Sequence, residues 1–219
     1  MGQEIEVKVL DIDASLLRER LLAAGCQPLG FEFQENFMFD YADRRLYEQQ
    51  DGSYIRLRRL RRFSPDGVPR SDAQAEQVIL TFKQVLSRER YKIAQETETL
   101  VGDFEQMRAF LRLLEVHQMR SDEKLRQSFR YEDILFEIDE WAGLPPYLEV
   151  EAASEERVAF GLSLLGLSLQ DATTMNLREV LAKYKIKSSN LHFAAQGRDI
   201  LAELAALSAS EDGPLSISQ

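Results

Sequence analysis

Cysteine is nearly absent from this chain of 219 residues: Cys26 stands alone. An internal disulfide framework is therefore excluded, and a reducing, cytoplasmic compartment is the expectation. Histidine is almost as scarce. His117 and His192 are far apart in sequence and have no recognisable partners, so neither is a candidate for acid–base catalysis. No CxxC or HExxH occurs, which removes the common zinc sites. GxxxxGK(S/T), GxGxxG and GxSxG are missing as well, so any phosphate must be held by side chains and not by a glycine-rich loop. No apolar run approaches the ~20 residues that span a bilayer, and no signal-peptide core opens the chain, so no membrane association is expected.

Charge is plentiful and unevenly spread. The formal net charge of −10 argues against a nucleic-acid surface. Yet RLRRLRR, from Arg56 to Arg62, is strongly basic. Apolar–polar alternation with period two dominates. It predicts strands at 3–10, 34–41, 53–60, 77–85, 89–101, 121–131, 133–141 and 146–152. Helical spacing falls at Ala14–Gly25, Phe104–Glu115 after Asp103, Glu155–Leu165 after Ser154, Asn176–Lys185 and Arg198–Leu207. Residues 63–76 form a long loop with two prolines, and 208–219 have the small, polar composition of a disordered tail. The expected division is a domain over 1–187 and a C-terminal extension over 188–219. The order of elements implies an α+β fold with an antiparallel sheet, and eight strands suffice for a closed β-barrel flanked by helices.

Successive strand residues face opposite ways, and one face of nearly every strand is charged. Glu4, Glu6 and Lys8 share a face in EIEVKV. Arg56 and Arg58 do so in YIRLRR, and Lys83 sits beside Thr81 in ILTFKQ. Arg90, Lys92, Glu96 and Glu98 have one parity. So do Lys124, Arg126 and Arg130 in EKLRQSFR, Glu137 and Asp139 in ILFEIDEW, and Glu149 and Glu151 in YLEVEA. A wet sheet face also alternates, but it gains nothing from like charges two residues apart. A barrel with this face inside needs a hydrated or charge-matched interior. Carboxylate clusters suit a hard divalent cation, and Arg/Lys clusters suit phosphate oxygens. A metal-bound triphosphate, with roughly four negative charges, asks for both.

EIEVK resembles the ExExK signature of the CYTH superfamily, the triphosphate tunnel metalloenzymes. FQENFMFD, YIRLRR, LTFKQ, the Glu96/Glu98 pair, EKLRQSF and FEIDEWAGLPPYLEVEA follow in the family's order, so the resemblance spans about residues 3–185. The layout looks most like the class IV adenylyl cyclase and thiamine triphosphatase branches. The resemblance implies an eight-stranded tunnel that binds a triphosphate with Mg²⁺ or Mn²⁺. Carried over by position, Glu4, Glu6, Asp139, Glu149 and Glu151 become metal ligands. Lys8, Arg56, Arg58, Lys83, Lys124 and Arg126 become triphosphate ligands, with Glu4, Glu6 and Lys8 at the chemistry. Glu96 and Glu98 match an acidic pair of less defined role, and Arg90, Lys92, Glu137 and Arg130 join the set by parity. The chain departs from the family at Asn36, where an acid is usual, at LPPY before the last acidic pair, and at Leu177, where a tyrosine is common.

These residues lead to the expectation of a divalent-metal-dependent hydrolase of inorganic or organic triphosphates. The same tunnel could instead cyclise ATP to cyclic AMP and pyrophosphate, and a non-catalytic polyphosphate-binding module is a third reading. The expected partner is a small triphosphate, with no nucleic acid and no membrane. A homodimer is left open.

Overall fold

The computed structural model describes residues 2–49, 52–186 and 191–210, with the side chains of 2–4 and 208–210 excepted. Eight strands appear: β1 (Gly2–Val9), β2 (Gln27–Tyr41), β3 (Tyr54–Phe63), β4 (Glu76–Arg88), β5 (Lys92–Leu100), β6 (Val116–Tyr131), β7 (Ile134–Trp141) and β8 (Tyr147–Ala152). They close into an antiparallel barrel in the order β1-β5-β4-β3-β2-β6-β7-β8. Two hairpin runs, β2 to β5 and β6 to β8, are joined along β2/β6. β1 fills the remaining gap between β5 and β8.

The helices are α1 (Ala14–Ala23), α2 (Arg45–Gln49), α3 (Phe104–Leu113), α4 (Glu155–Leu164), α5 (Leu177–Lys183) and α6 (Ile200–Ser210). Their starts follow from capping, in which a side-chain oxygen accepts an otherwise orphaned N–H. Asp13, Asp103 and Ser154 accept from the backbone N–H of Leu16, Gln106 and Arg157. Asn176 and Glu179 form a reciprocal capping box. The short α2 hangs from buried Asp40, whose carboxylate accepts from the Leu46 and Tyr47 N–H groups. No helix among the described residues is long and apolar enough to cross a membrane.

The apolar side of the barrel points outward, under the helices. Val7, Phe136, Leu148 and Val150 pack against Leu17 and Leu21 of α1 and Val158 and Leu162 of α4. Phe39 and Leu57 pack beneath Phe104 and Leu111 of α3. Leu191, Phe193, Ile200 and Leu204 share a third cluster with Phe31, Phe63 and Trp141, so the segment from Leu191 to Leu204 packs against the barrel. The loop at 64–75 folds back on its strand, with Arg70 N–H donating to Arg62 O. The tail expected over 208–219 begins inside α6, which runs to Ser210, and residues 211–219 lie outside the described residues.

Gly30 breaks the β2/β6 register at a bulge, and its φ of +113° is open only to glycine. A Cβ there would stand 2.2 Å from the Phe63 carbonyl oxygen. Gly30→Val is expected to cost about 4 kcal/mol or more, the range reached when strained backbone meets a clash. A melting temperature within ~2 °C of the unsubstituted chain would refute that placement.

Candidate functional site

Because the apolar side faces out, the charged parity of nearly every strand turns inward, and β2 presents Asn36 and Met38. A cavity of about 840 Å³ results, lined by Glu6 and Lys8 from β1, Arg56 and Arg58 from β3, Lys83 from β4 and Lys92, Glu96 and Glu98 from β5. Lys124 and Arg126 from β6, Glu137 from β7 and Glu149 and Glu151 from β8 complete it. The Glu4 position pairs with Ala94 in register, but its side chain is among those not described. Asp139 has the inward parity, yet it is 0 % exposed and does not line the cavity. Arg90 and Arg130 fall outside the set. Arg90 precedes β5 and lies exposed over the Tyr91 ring, 5.7 Å from its centroid. Arg130 pairs with Leu135 near the end of β6 and is exposed to solvent. Of the two basic residues before the Glu96 pair, it is Lys92 that reaches the interior.

Opposite charges alternate through this interior as one network. Lys92 and Lys8 both donate to Glu6 Oε1, at 2.8 and 3.0 Å. Lys8 also meets Glu149 Oε1 at 2.8 Å. Glu149 Oε2 accepts from Arg126 at 2.6 Å. Arg126 forks onto both oxygens of Asp139, at 2.6 and 2.7 Å, and pairs with Glu137. Lys124 donates to Asp139 Oδ2 at 2.8 Å, which leaves Asp139 saturated. On the other side Lys83 contacts Glu96 at 2.6 Å and Glu6 at 3.6 Å. Arg56 lies 3.7 Å from Glu96 and 3.6 Å from Glu98. Thr81 Oγ1 donates to Glu98 at 2.6 Å.

Burial and neighbours set the protonation of these groups. Burial would raise the Glu6 carboxyl, but Lys8, Lys92 and Lys83 outweigh it and hold it well below the usual range. Glu149 is lowered in the same way, against burial, chiefly by Lys8 and then Arg126. Lys8 is raised despite burial, through Glu149 and Glu6. Glu137 goes the other way. Burial, with Asp139 and Glu149 nearby, pushes it up to about 7 in spite of Arg126. Lys124 is lowered by burial and by Arg126 beside it.

Like charges also face each other across strands. Glu6 stands opposite Glu151 on β1/β8, and Glu137 opposite Glu149 on β7/β8. Such pairs are unfavourable unless a cation lies between them, and Arg126 already bridges Glu137 and Glu149. Carboxylate oxygens on adjoining strands are the hard donors that Mg²⁺ and Mn²⁺ accept. Among the described residues, however, no group of three or more Asp, Glu, His or Cys is already gathered to hold a metal. The carboxylates are instead spread over the lysine and arginine side chains.

One mouth of the cavity is faced by α2 and α5. Tyr47 lies beneath the guanidinium groups of Arg44 and Arg178, 5.3 and 5.6 Å from its ring centre. Arg88, Arg120, Asp122, Asn36 and Met38 also line the cavity and were not expected there. The signal for Arg120 and Asp122 was present: they continue the parity of Lys124 and Arg126 into the start of β6.

A CYTH domain model matches residues 2–166. A Methanocaldococcus jannaschii protein named "putative adenylate cyclase" is 25% identical over 188 residues, covering 86% of this chain and 93% of that one. Among solved structures, the PH1819 protein of Pyrococcus horikoshii superposes with a TM-score of 0.66 at 20% identity, over 83% of this chain and 99% of that one. A Hippeastrum protein, described as a "putative adenylyl cyclase" with a dominant triphosphatase activity, gives a TM-score of 0.57 at 19% identity, over 88% of this chain and all of its own.

Proposed function

Since the chain belongs to the CYTH domain family, we propose that its barrel interior binds a metal-complexed triphosphate and hydrolyses it. The observation that carries this reading is the alternating network from Lys92 to Lys124, set in a cavity of about 840 Å³. Its cations stand where phosphate oxygens can replace carboxylates as partners. Glu6, Glu149 and Glu151 would hold the divalent cation, together with Glu4. When bound, that ion supplies neutralising charge and polarises phosphoryl oxygens. The chain's own groups do the rest. Lys8, Lys83, Arg56 and Arg58 grip the triphosphate from β1, β4 and β3. Arg126 and Lys124 present fixed positive charge from β6 to the oxygens that become more negative as the bond to the terminal phosphorus breaks. Asp139 takes the role of a positioning residue, since both its oxygens are spent on orienting Arg126 and Lys124. Water attacks the terminal phosphorus, its P–O bond to the bridging oxygen breaks, and orthophosphate and diphosphate leave.

Glu6→Gln keeps the shape and removes the charge that Lys8, Lys92 and Lys83 share. Turnover of inorganic triphosphate, read as orthophosphate with Mg²⁺ or Mn²⁺, is expected to fall about 100-fold, the usual scale for one preorganised electrostatic group. Turnover within ~2-fold of the unsubstituted chain would remove Glu6 from the chemistry. Release of pyrophosphate and cyclic AMP from ATP, in place of orthophosphate, would replace hydrolysis by cyclisation.

A further inference from the structure

On the wall away from β1, Gln34 Oε1 is buried without a hydrogen bond, and two neighbouring side chains are buried with no side-chain hydrogen bond at all. Asn36 on β2 is 2 % exposed, and neither its Nδ2 nor its Oδ1 has a hydrogen-bond partner. Asp122 on β6 is 1 % exposed, and neither oxygen accepts a hydrogen bond; Arg120 Nε lies 3.1 Å from Oδ2 but outside hydrogen-bonding geometry. The two residues are direct cross-strand partners and both line the cavity. β2 is four strands from β1 in either direction around the barrel, so this pair faces the metal-ligand wall across the lumen. Buried amides and carboxylates in folded proteins are almost always hydrogen-bonded, so an adjacent pair that lines a cavity without hydrogen bonds, Asp122 having only its ion pair with Arg120, marks a place where a ligand makes them.

We infer that Asn36 and Asp122 form a specificity subsite for an amino-substituted heteroaromatic ring carried on the triphosphate. The inference rests on the triphosphate reading of the same cavity. An Asn amide matches the N=C–NH₂ edge of such a ring with two bonds: Nδ2–H donates to the ring nitrogen, and the exocyclic amine donates to Oδ1. The second amine N–H is left over, and Asp122 beside Asn36 accepts it. Burial raises the Asp122 carboxyl, while Arg120 and Lys124 pull it back. Met38, two residues along the same face of β2, and Tyr54 on β3 line the cavity as well and supply surface for the ring faces. A ring bearing a carbonyl in place of the amine can bond Asn36 only with the amide turned over, and its oxygen would then stand against the Asp122 carboxylate, so Asp122 carries the discrimination. A site built to bond an amine rejects a ligand that lacks it far more strongly than an apolar pocket rejects a change of shape.

The unsubstituted chain tests this first, so folding of a variant is not at issue. Adenosine triphosphate should be used about 100-fold better in kcat/KM than inosine triphosphate, the scale of leaving a buried carboxylate facing an acceptor instead of a donor. Equal use of the two overturns the subsite. Asn36→Leu and Asp122→Asn should each erase the preference while leaving hydrolysis of inorganic triphosphate within about 3-fold, since that substrate has no ring. A variant that loses inorganic triphosphate hydrolysis in step with adenosine triphosphate, with its melting temperature unchanged, also overturns it. If no triphosphate is turned over, the hydrolase reading fails by itself. Calorimetric binding of adenosine and inosine triphosphates with Mn²⁺ then decides the subsite: preference for the amine supports it, and equal affinity overturns it.

Discussion

Arg126→Met is expected to abolish triphosphate turnover, by at least about 1000-fold, and to cost about 3–5 kcal/mol of stability. The first figure is the scale of losing a charge that acts on the transferring group. The second is the cost of breaking a buried ion pair by removing one partner. Arg126 holds Asp139, Glu137 and Glu149 at once, and Asp139 is wholly buried. The methionine would strand Glu137 and leave Asp139 to Lys124 alone and Glu149 to Lys8 alone. Removing an under-paired charge should help, so Arg126→Met/Asp139→Asn is expected to be more stable than the sum of the single changes by about 1 kcal/mol or more, with no recovery of activity. The pH dependence has a definite sign. Glu149 sits below its ordinary value in the fold, partly through Arg126, so its stabilisation is present above about pH 4.5 and is lost as pH falls. The variant should lose less over that acid range. Denaturant melts at several pH values check all three statements. A variant that melts like the unsubstituted chain would show that the three carboxylates do not depend on Arg126.

Triphosphate should bind at least about 100-fold more tightly with Mg²⁺ or Mn²⁺ than in EDTA. The lumen is close to neutral as it stands, because Lys8, Lys83, Lys92, Arg56, Lys124 and Arg126 meet Glu149, Glu96, Glu6, Glu98, Asp139 and Glu137, and Arg58 and Glu151 line the same cavity. A triphosphate that took over these cations would leave buried carboxylates unpaired. One such loss is worth about 3 kcal/mol or more, which corresponds to the stated factor. A divalent cation restores the balance. Calorimetric titration of inorganic triphosphate with and without the ion reads the difference. Equal affinity in EDTA would make the barrel an anion-binding module.

The strand parity carried most of this architecture. Seven of the eight strands were legible because their inward and outward faces differ in charge as well as in hydropathy, and β2 by its alternation alone. The first halves of β2 and β6 were not. PLGFEF is interrupted by the bulge at Gly30, and VHQMR has no clean alternation, so each is revealed as a strand by its pairing with the second half of the other. Five residues of α2 are too few to show a helical period, and the anchor, Asp40, is a tertiary contact. Parity also placed Asp139 and Lys92 inside. It could not tell that Asp139 would be sealed beneath Arg126 and Lys124, nor that Arg90 would fall before the strand began. Asn36 and Asp122 are ordinary turn formers in a sequence, and only the register of β2 against β6 puts them side by side.

The position of β1 has a consequence for how the chain acquires its site. This strand is the first to be synthesised, yet its neighbours begin at residues 92 and 147. Pairings so distant in sequence form slowly, because a long loop must close before any contact rewards it. The two hairpin runs can assemble locally and dock along β2/β6, while β1 waits for both of its partners. Glu6 and Lys8 therefore enter the lumen at the step that seals the barrel. The reverse holds on opening. Detachment of β1 removes the central carboxylate of the network and uncovers the bonding edges of β5 and β8 together. Loss of activity and onset of self-association should thus share one kinetic phase in this chain.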